Sequence, residues 1–210
     1  MKILSIDFNI IMGPSIELYN NRMGSNCTCE NFEKFYPLMK YVNADLMAYR
    51  ILTNFLINAA KDMKPDQIHF IMNHMDILNF IDEDDKVTIM NIDHHHDLGY
   101  PGPGNNGVNC GNWLDFLFEE KCCIGLTWIK NGTSGSVPPK YNNHHLIQEF
   151  EFSKIDLIYE LIKPDMIVIC GSFEWIPTQF QPLFYLWRDM ISNIQQYEHE
   201  VIPYEPPTDR

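Results

Sequence analysis

Between positions 93 and 97 the chain reads Asp93-His94-His95-His96-Asp97, five metal-capable side chains in five consecutive positions. They follow the apolar, β-prone run Thr88-Ile89-Met90-Asn91-Ile92, which places them at the carboxyl end of a predicted strand. Successive side chains on an extended segment point to opposite faces, so Asp93, His95 and Asp97 are expected to converge while His94 and His96 turn away. Asp7 and Asn9 flank Phe8 at the end of another apolar run, and the same alternation puts their oxygens on one side. His74 follows a third such run. Together Asp7, Asp93 and Asp97, the amide of Asn9, and the imidazoles of His74 and His95 form a mixed oxygen and nitrogen donor set. Such a set suits Mn²⁺, Fe²⁺ or Zn²⁺ and excludes soft-metal thiolate chemistry. The competing reading of each piece is a polar strand end bonded to its own backbone. Delivery of ligand-type residues from three separate segments to one edge favours a site.

The elements that must position these residues follow from the apolar pattern. Runs at residues 3–7, 67–72, 86–92, 124–129 and 165–170 are mostly continuous and rich in Val and Ile, as in strands buried on both faces. Helical spacing occupies residues 43–63, 113–121, 153–162 and 182–197, and Lys64-Pro65-Asp66 and Lys163-Pro164-Asp165 stop two of these segments. This alternation predicts a three-layer α/β/α fold with a mainly parallel sheet. With 210 residues, 45% of them hydrophobic, and no shift in composition, a single domain over 1–202 is expected, followed by a loosely ordered tail at 203–210. In open α/β sheets ligands bind outside the carboxyl ends of the strands. The Gly/Pro/Asn-rich segment 100–109 would therefore either rim a pocket or form an ordinary surface turn, and 20–31 and 131–145 are further loops.

A net charge of −13 disfavours nucleic acid and anionic membrane surfaces as partners and favours a cationic one, such as a basic peptide. Asp7 interrupts what would be the apolar segment of a signal peptide, and no apolar run approaches the ~20 residues of a membrane span, so a cytoplasmic location is expected. Cys27, Cys29, Cys110, Cys122, Cys123 and Cys170 are then expected as free thiols, and their spacing lacks the two-residue gap of a zinc knuckle.

These motifs resemble those of the ureohydrolases, the arginase and agmatinase superfamily. Its sites combine Asp-x-His-x-Asp after one strand, a histidine near the end of the preceding strand, and Ser-x-Asp-x-Asp after another. Here the matching residues are Asp93, His95 and Asp97, then His74, then Ser5-Ile6-Asp7-Phe8-Asn9. In arginases the last motif lies late in the chain, whereas here it comes first, which is similar to a small permuted branch that includes peptide arginases. The resemblance implies an arginase/deacetylase-like fold and two Mn²⁺ ions, with Fe²⁺ or Zn²⁺ as alternatives. It implies that Asp93 and Asp7 bridge the metals, that His74 and Asp97 complete one, and that His95 and Asn9 complete the other. Asn9 departs from the family, which has a carboxylate there. The amide removes a negative charge and should weaken the second metal.

Two further segments match. Gly111-Asn112-Trp113 resembles the family's contact to the amino-acid part of the substrate, although Asn112 could equally cap a helix. Glu174, within Ser172-Phe173-Glu174-Trp175-Ile176-Pro177, resembles the glutamate that grips the guanidinium, and its alternative is a solvated surface acid. The implied activity is hydrolysis of arginine to ornithine and urea, within a peptide substrate, with Asp97 taking a proton from the attacking water and passing it to the leaving amine. His94, His96, His144 and His145 are candidate proton shuttles, while His69 and His199 read as structural.

Three other classes compete. A phosphoesterase of the Asp-His-His type fits Asp93-His94-His95, but residues 2–5 hold no histidine, and Asn9 is followed by Ile10-Ile11-Met12 instead of small residues. A deacetylase would use one zinc and fewer carboxylates. A degenerate binding module would grip an arginine-bearing peptide without hydrolysis, with Asn9 as its main support.

Overall fold

The computed structural model describes residues 1–12, 44–100, 107–120, 122–132, 134–141, 144–155, 158, 163–173, 176 and 179–195. The loop 20–31, Cys27, Cys29, most of the segment after Tyr100, most of the helix expected at 153–162, Glu174, His199 and the tail 203–210 lie outside the described residues.

Six strands form one sheet: β1 Lys2–Asp7, β2 Ile68–Ile71, β3 Val87–Ile92, β4 Cys123–Lys130, β5 Ile147–Glu151 and β6 Met166–Cys170. Their order is β2-β6-β1-β3-β4-β5, and every pairing is parallel. The helices are α1 Leu46–Ala60, α2 Trp113–Glu119 and α3 Gln181–Gln195. This is the expected three-layer α/β architecture. β5 is the addition. Its Ile147-Gln148-Glu149-Phe150-Glu151 is half-exposed at the sheet edge and lacks a buried apolar run. Pairing with β4 makes it a strand, helped by the Lys130–Glu149 ion pair at 2.7 Å across the two.

The apolar strands alternate between two cores. Leu4, Ile6, Met90, Ile92, Ile167 and Ile169 face one side, where Leu52, Phe55 and Leu56 of α1 meet Phe184, Trp187 and Ile191 of α3. Ile3, Val87, Ile89, Leu126, Trp128, Val168 and Cys170 face the other, against Trp113, Leu114 and Leu117 of α2 and Ile77 of the 3-10 segment His74–Phe80. α1 begins where Asp45 Oδ1 accepts from the backbone N–H groups of Met47 and Ala48, each at 2.9 Å. It gives way to Pro65 in the next turn, as Lys64-Pro65-Asp66 foretells.

β1 sits between β3 and β6. The chain leaves β1 for β2 on one side and returns as β3 on the other, so a topological switch opens at the carboxyl end of β1. β1 runs directly into the 3-10 turn Phe8–Ile11, whose first turn is capped by Asp7 Oδ1 accepting from Asn9 N at 2.9 Å. Phe8, between the two candidate ligands, goes into the core. Its ring meets Trp187 edge-on at 5.0 Å and Phe184 at 5.7 Å, while Trp187 stacks on Tyr49 at 5.3 Å and donates to Thr53 Oγ1 at 2.7 Å. Phe8 thus pins the turn that aims Asp7 and Asn9. Among the described residues no helix is long and apolar enough to cross a membrane.

Phe8→Ala is expected to lower the unfolding free energy by about 3–5 kcal/mol, the range for emptying a buried aromatic site. Urea denaturation checks this, and a loss under about 1 kcal/mol would show that Phe8 anchors nothing.

Candidate metal centre

Four strands end at one edge of the sheet and each supplies part of the site. Asp7 is the last residue of β1, Asp93 directly follows β3, His74 opens the 3-10 segment after β2, and Ser172 follows β6. His74 Nδ1 lies 3.3 Å from Asp7 Oδ2, 3.3 Å from Asp93 Oδ2 and 3.0 Å from Asp97 Oδ2. On the far side of the ring, Nε2 pairs with Ser5 Oγ at 2.7 Å. With the ring proton on Nε2 and donated to that hydroxyl, Nδ1 turns a lone pair toward the carboxylates, as in a histidine oriented for a metal.

The donor set fits a divalent cation in two respects. Cations of this class bind oxygen and nitrogen at about 2.1 Å, so neighbouring ligands stand roughly 3 Å apart; Asp7, His74 and Asp93 bring ligand atoms within 4.8 Å of one another, and Asp97 Oδ2 joins them through His74 Nδ1 at 3.0 Å. Neither His74 Nδ1 nor Asp93 Oδ2 has a hydrogen bond, although both are buried. The charge balance agrees. Asp7, Asp93 and Asp97 are only 1–3% exposed, and no Lys or Arg is among the described buried residues. Burying several carboxylates without compensation costs several kcal/mol per ion. Burial and the adjacent Asp97 carboxylate push the Asp93 carboxyl above its usual range. Burial disfavours charge on His74, yet Asp97, with Asp7 and Asp93, outweighs it and holds the imidazole well above its ordinary value.

Further groups hold these ligands in place. Asp7 Oδ2 accepts from Ser172 Oγ at 2.6 Å, and Asp97 Oδ2 accepts from Trp113 Nε1 at 2.6 Å. The Trp128 Nε1 donates to the Asp93 carbonyl at 2.9 Å. Ser172 and Asp97 both adopt left-handed backbone conformations, with φ of 45° and 51°, which cost a non-glycine residue of order 1 kcal/mol. The sequence pattern did not single out Ser172, Trp113 or Trp128. A polar residue inside an otherwise apolar strand is the one signal available, and Asn91 shows it: it pairs in register with Ser5 and is fully buried.

The alternation expected from Asp93 to Asp97 stops at Ile92, where β3 ends. The chain then bends, with Asp93 Oδ1 accepting from His95 N at 2.9 Å, and the left-handed Asp97 swings its carboxylate back to His74. Asp93 and Asp97 therefore converge on His74, whereas His95 faces Asn9, its Nδ1 3.4 Å from Asn9 Nδ2. The Asn9 Oδ1 accepts from His94 N at 3.3 Å. His94 Nδ1 pairs with Asn131 Oδ1 at 3.1 Å. His96 accepts from Leu98 N at 3.0 Å and stacks on Tyr100, and burial holds both His95 and His96 below the ordinary imidazole value. His144 and His145 stack on each other at 5.7 Å. Asn112 occupies the N-cap position of α2 without capping it through its side chain. Its Oδ1 accepts from Asn109 N at 2.7 Å and its Nδ2 donates to the Gly107 carbonyl at 3.0 Å, bracing the preceding loop.

No protein-family model, curated protein or solved structure matches the chain.

Saturating Mn²⁺ is expected to stabilise the protein by about 2.7 kcal/mol at a hundred times the dissociation constant. A thermal-shift titration checks this: the gain should vanish with excess chelator and in His74→Ala, and an equal shift in that variant would place the cation elsewhere.

Proposed function

We propose that the chain is a metal-dependent hydrolase that cleaves the guanidinium group of arginine, presented within a peptide, to ornithine and urea. The observation that carries the reading is the set of three buried carboxylates facing one imidazole nitrogen at the switch point of a parallel sheet. Manganese suits the oxygen-rich set best, with iron and zinc as alternatives. A bound divalent cation lowers the pKa of water toward neutrality and so supplies a nucleophile.

The chain's own groups provide the rest. Asp97, held by Trp113 Nε1, is positioned to accept a proton from the attacking water and return it to the departing amine. Trp113, fully buried, packs beside His74 with ring centroids 4.9 Å apart and keeps that corner dry. Glu174 is assigned the guanidinium on the strength of the family resemblance and of the bidentate pairing a carboxylate makes with that group. Asn112 is assigned to the loop that borders the substrate. The net charge of −13 suits a basic peptide and opposes nucleic acid and anionic lipid, and the free thiols of Cys122, Cys123 and Cys170 suit a reducing, cytoplasmic setting.

Incubating manganese-loaded protein with an arginine-containing peptide should release urea and lower the peptide mass by about 42 Da, the difference between arginine and ornithine, and Asp97→Asn should reduce the rate at least about a hundredfold. Peptide binding by calorimetry without urea release would identify a binding module instead.

A further inference from the structure

We propose that this centre holds a single divalent cation, at the corner formed by His74, Asp7, Asp93 and Asp97, and that Asn9 and His95 close the neighbouring corner against each other. The inference rests on the reading of the centre as a metal site and concerns how many ions it takes.

A second ion would need the remaining oxygens of Asp7 and Asp93 together with Asn9 and His95. Each of those atoms faces another partner; the aspartate oxygens keep a further lone pair, as do Asp7 Oδ2 and Asp97 Oδ2 that accept from Ser172 and Trp113, so the Asn9 amide and the His95 imidazole decide this corner. Asp7 Oδ1 accepts from the backbone N–H of Asn9 at 2.9 Å, and Asp93 Oδ1 accepts from the backbone N–H of His95 at 2.9 Å. The amide oxygen of Asn9, the one atom of that side chain able to ligate a cation, is turned to His94 N at 3.3 Å. Its Nδ2 carries hydrogens and faces His95 Nδ1 at 3.4 Å, so the imidazole lone pair meets an N–H where a dinuclear site would place a cation. An aspartate at position 9 would put an oxygen against that lone pair. Two acceptors in contact repel unless a cation or an imidazole proton moved to Nδ1 lies between them, so the amide is the group that lets this corner close with the His95 Nδ1 lone pair in place and no ion.

The test loads the full chain with excess MnCl₂, desalts it, and measures manganese per chain by plasma mass spectrometry alongside the electron paramagnetic resonance spectrum. About one ion per chain with an uncoupled six-line signal is expected. Two ions with an exchange-coupled signal overturn the inference while leaving the metal reading intact, and no bound manganese overturns both. Asn9→Asp is expected to raise the count toward two, and a count that stays at one in a folded variant removes the role given to Asn9. His95→Gln should keep one ion with an affinity within about threefold of the parent, whereas a loss beyond about tenfold would make His95 a ligand of that ion and overturn the assignment.

Discussion

Three carboxylates brought within 3.3 Å of one imidazole nitrogen, in an interior with no buried lysine or arginine among the described residues, are a charge problem before they are a site. Water is excluded, so Coulomb repulsion is only weakly screened and each ion bears a desolvation cost. A folded chain tolerates this where a cation, or a proton held among His74 and the carboxylates, resolves it. The surrounding details follow from that constraint. Ser172 and Trp113 each donate to an aspartate oxygen, Ser5 fixes the far side of the His74 ring, and two residues accept left-handed backbone to reach their places. None of these devices would be needed in an apolar strand end.

The fold supplies the place where such a cluster can exist. A parallel sheet buried on both faces has its polar backbone satisfied by the ladder, leaving only the strand ends to carry functional groups. β1, central and flanked by β3 and β6, brings Asp7 next to residues from both neighbours. The two cores then act as clamps from opposite sides. Phe8 is gripped by Phe184 and Trp187 on one face, and Trp113 lies against His74 on the other. A ligand set drawn from three strand ends, with Ser172 from a fourth holding Asp7, keeps its geometry only because both layers are packed.

Much of this was visible in the amino-acid pattern, and the exceptions have physical causes. The five strands with long apolar runs lie within two residues of their expected bounds, because a strand buried on both faces must be continuously apolar. β5 escaped because an edge strand needs no such run and is defined by its neighbour. Asp7, His74, Asp93 and Asp97 were identifiable as ligand-type residues at strand ends. The period-2 rule, however, joined His95 to Asp93 and Asp97, and it fails past Ile92 because the backbone bends there, with the left-handed Asp97 completing the return. Ser172, Trp113 and Trp128 were hidden because a hydroxyl or an indole N–H becomes a positioning group only through tertiary placement. Nothing in their local sequence records it.

The most direct test of the account is anomalous diffraction at the manganese edge from crystals grown with Mn²⁺. The expected result is a peak enclosed by His74 Nδ1 and the Oδ2 atoms of Asp7, Asp93 and Asp97. The contradictory result is the same four side chains at saturating manganese with no peak between them and His74 bonded directly to Asp97, which would make the cluster a structural imidazolium–carboxylate network.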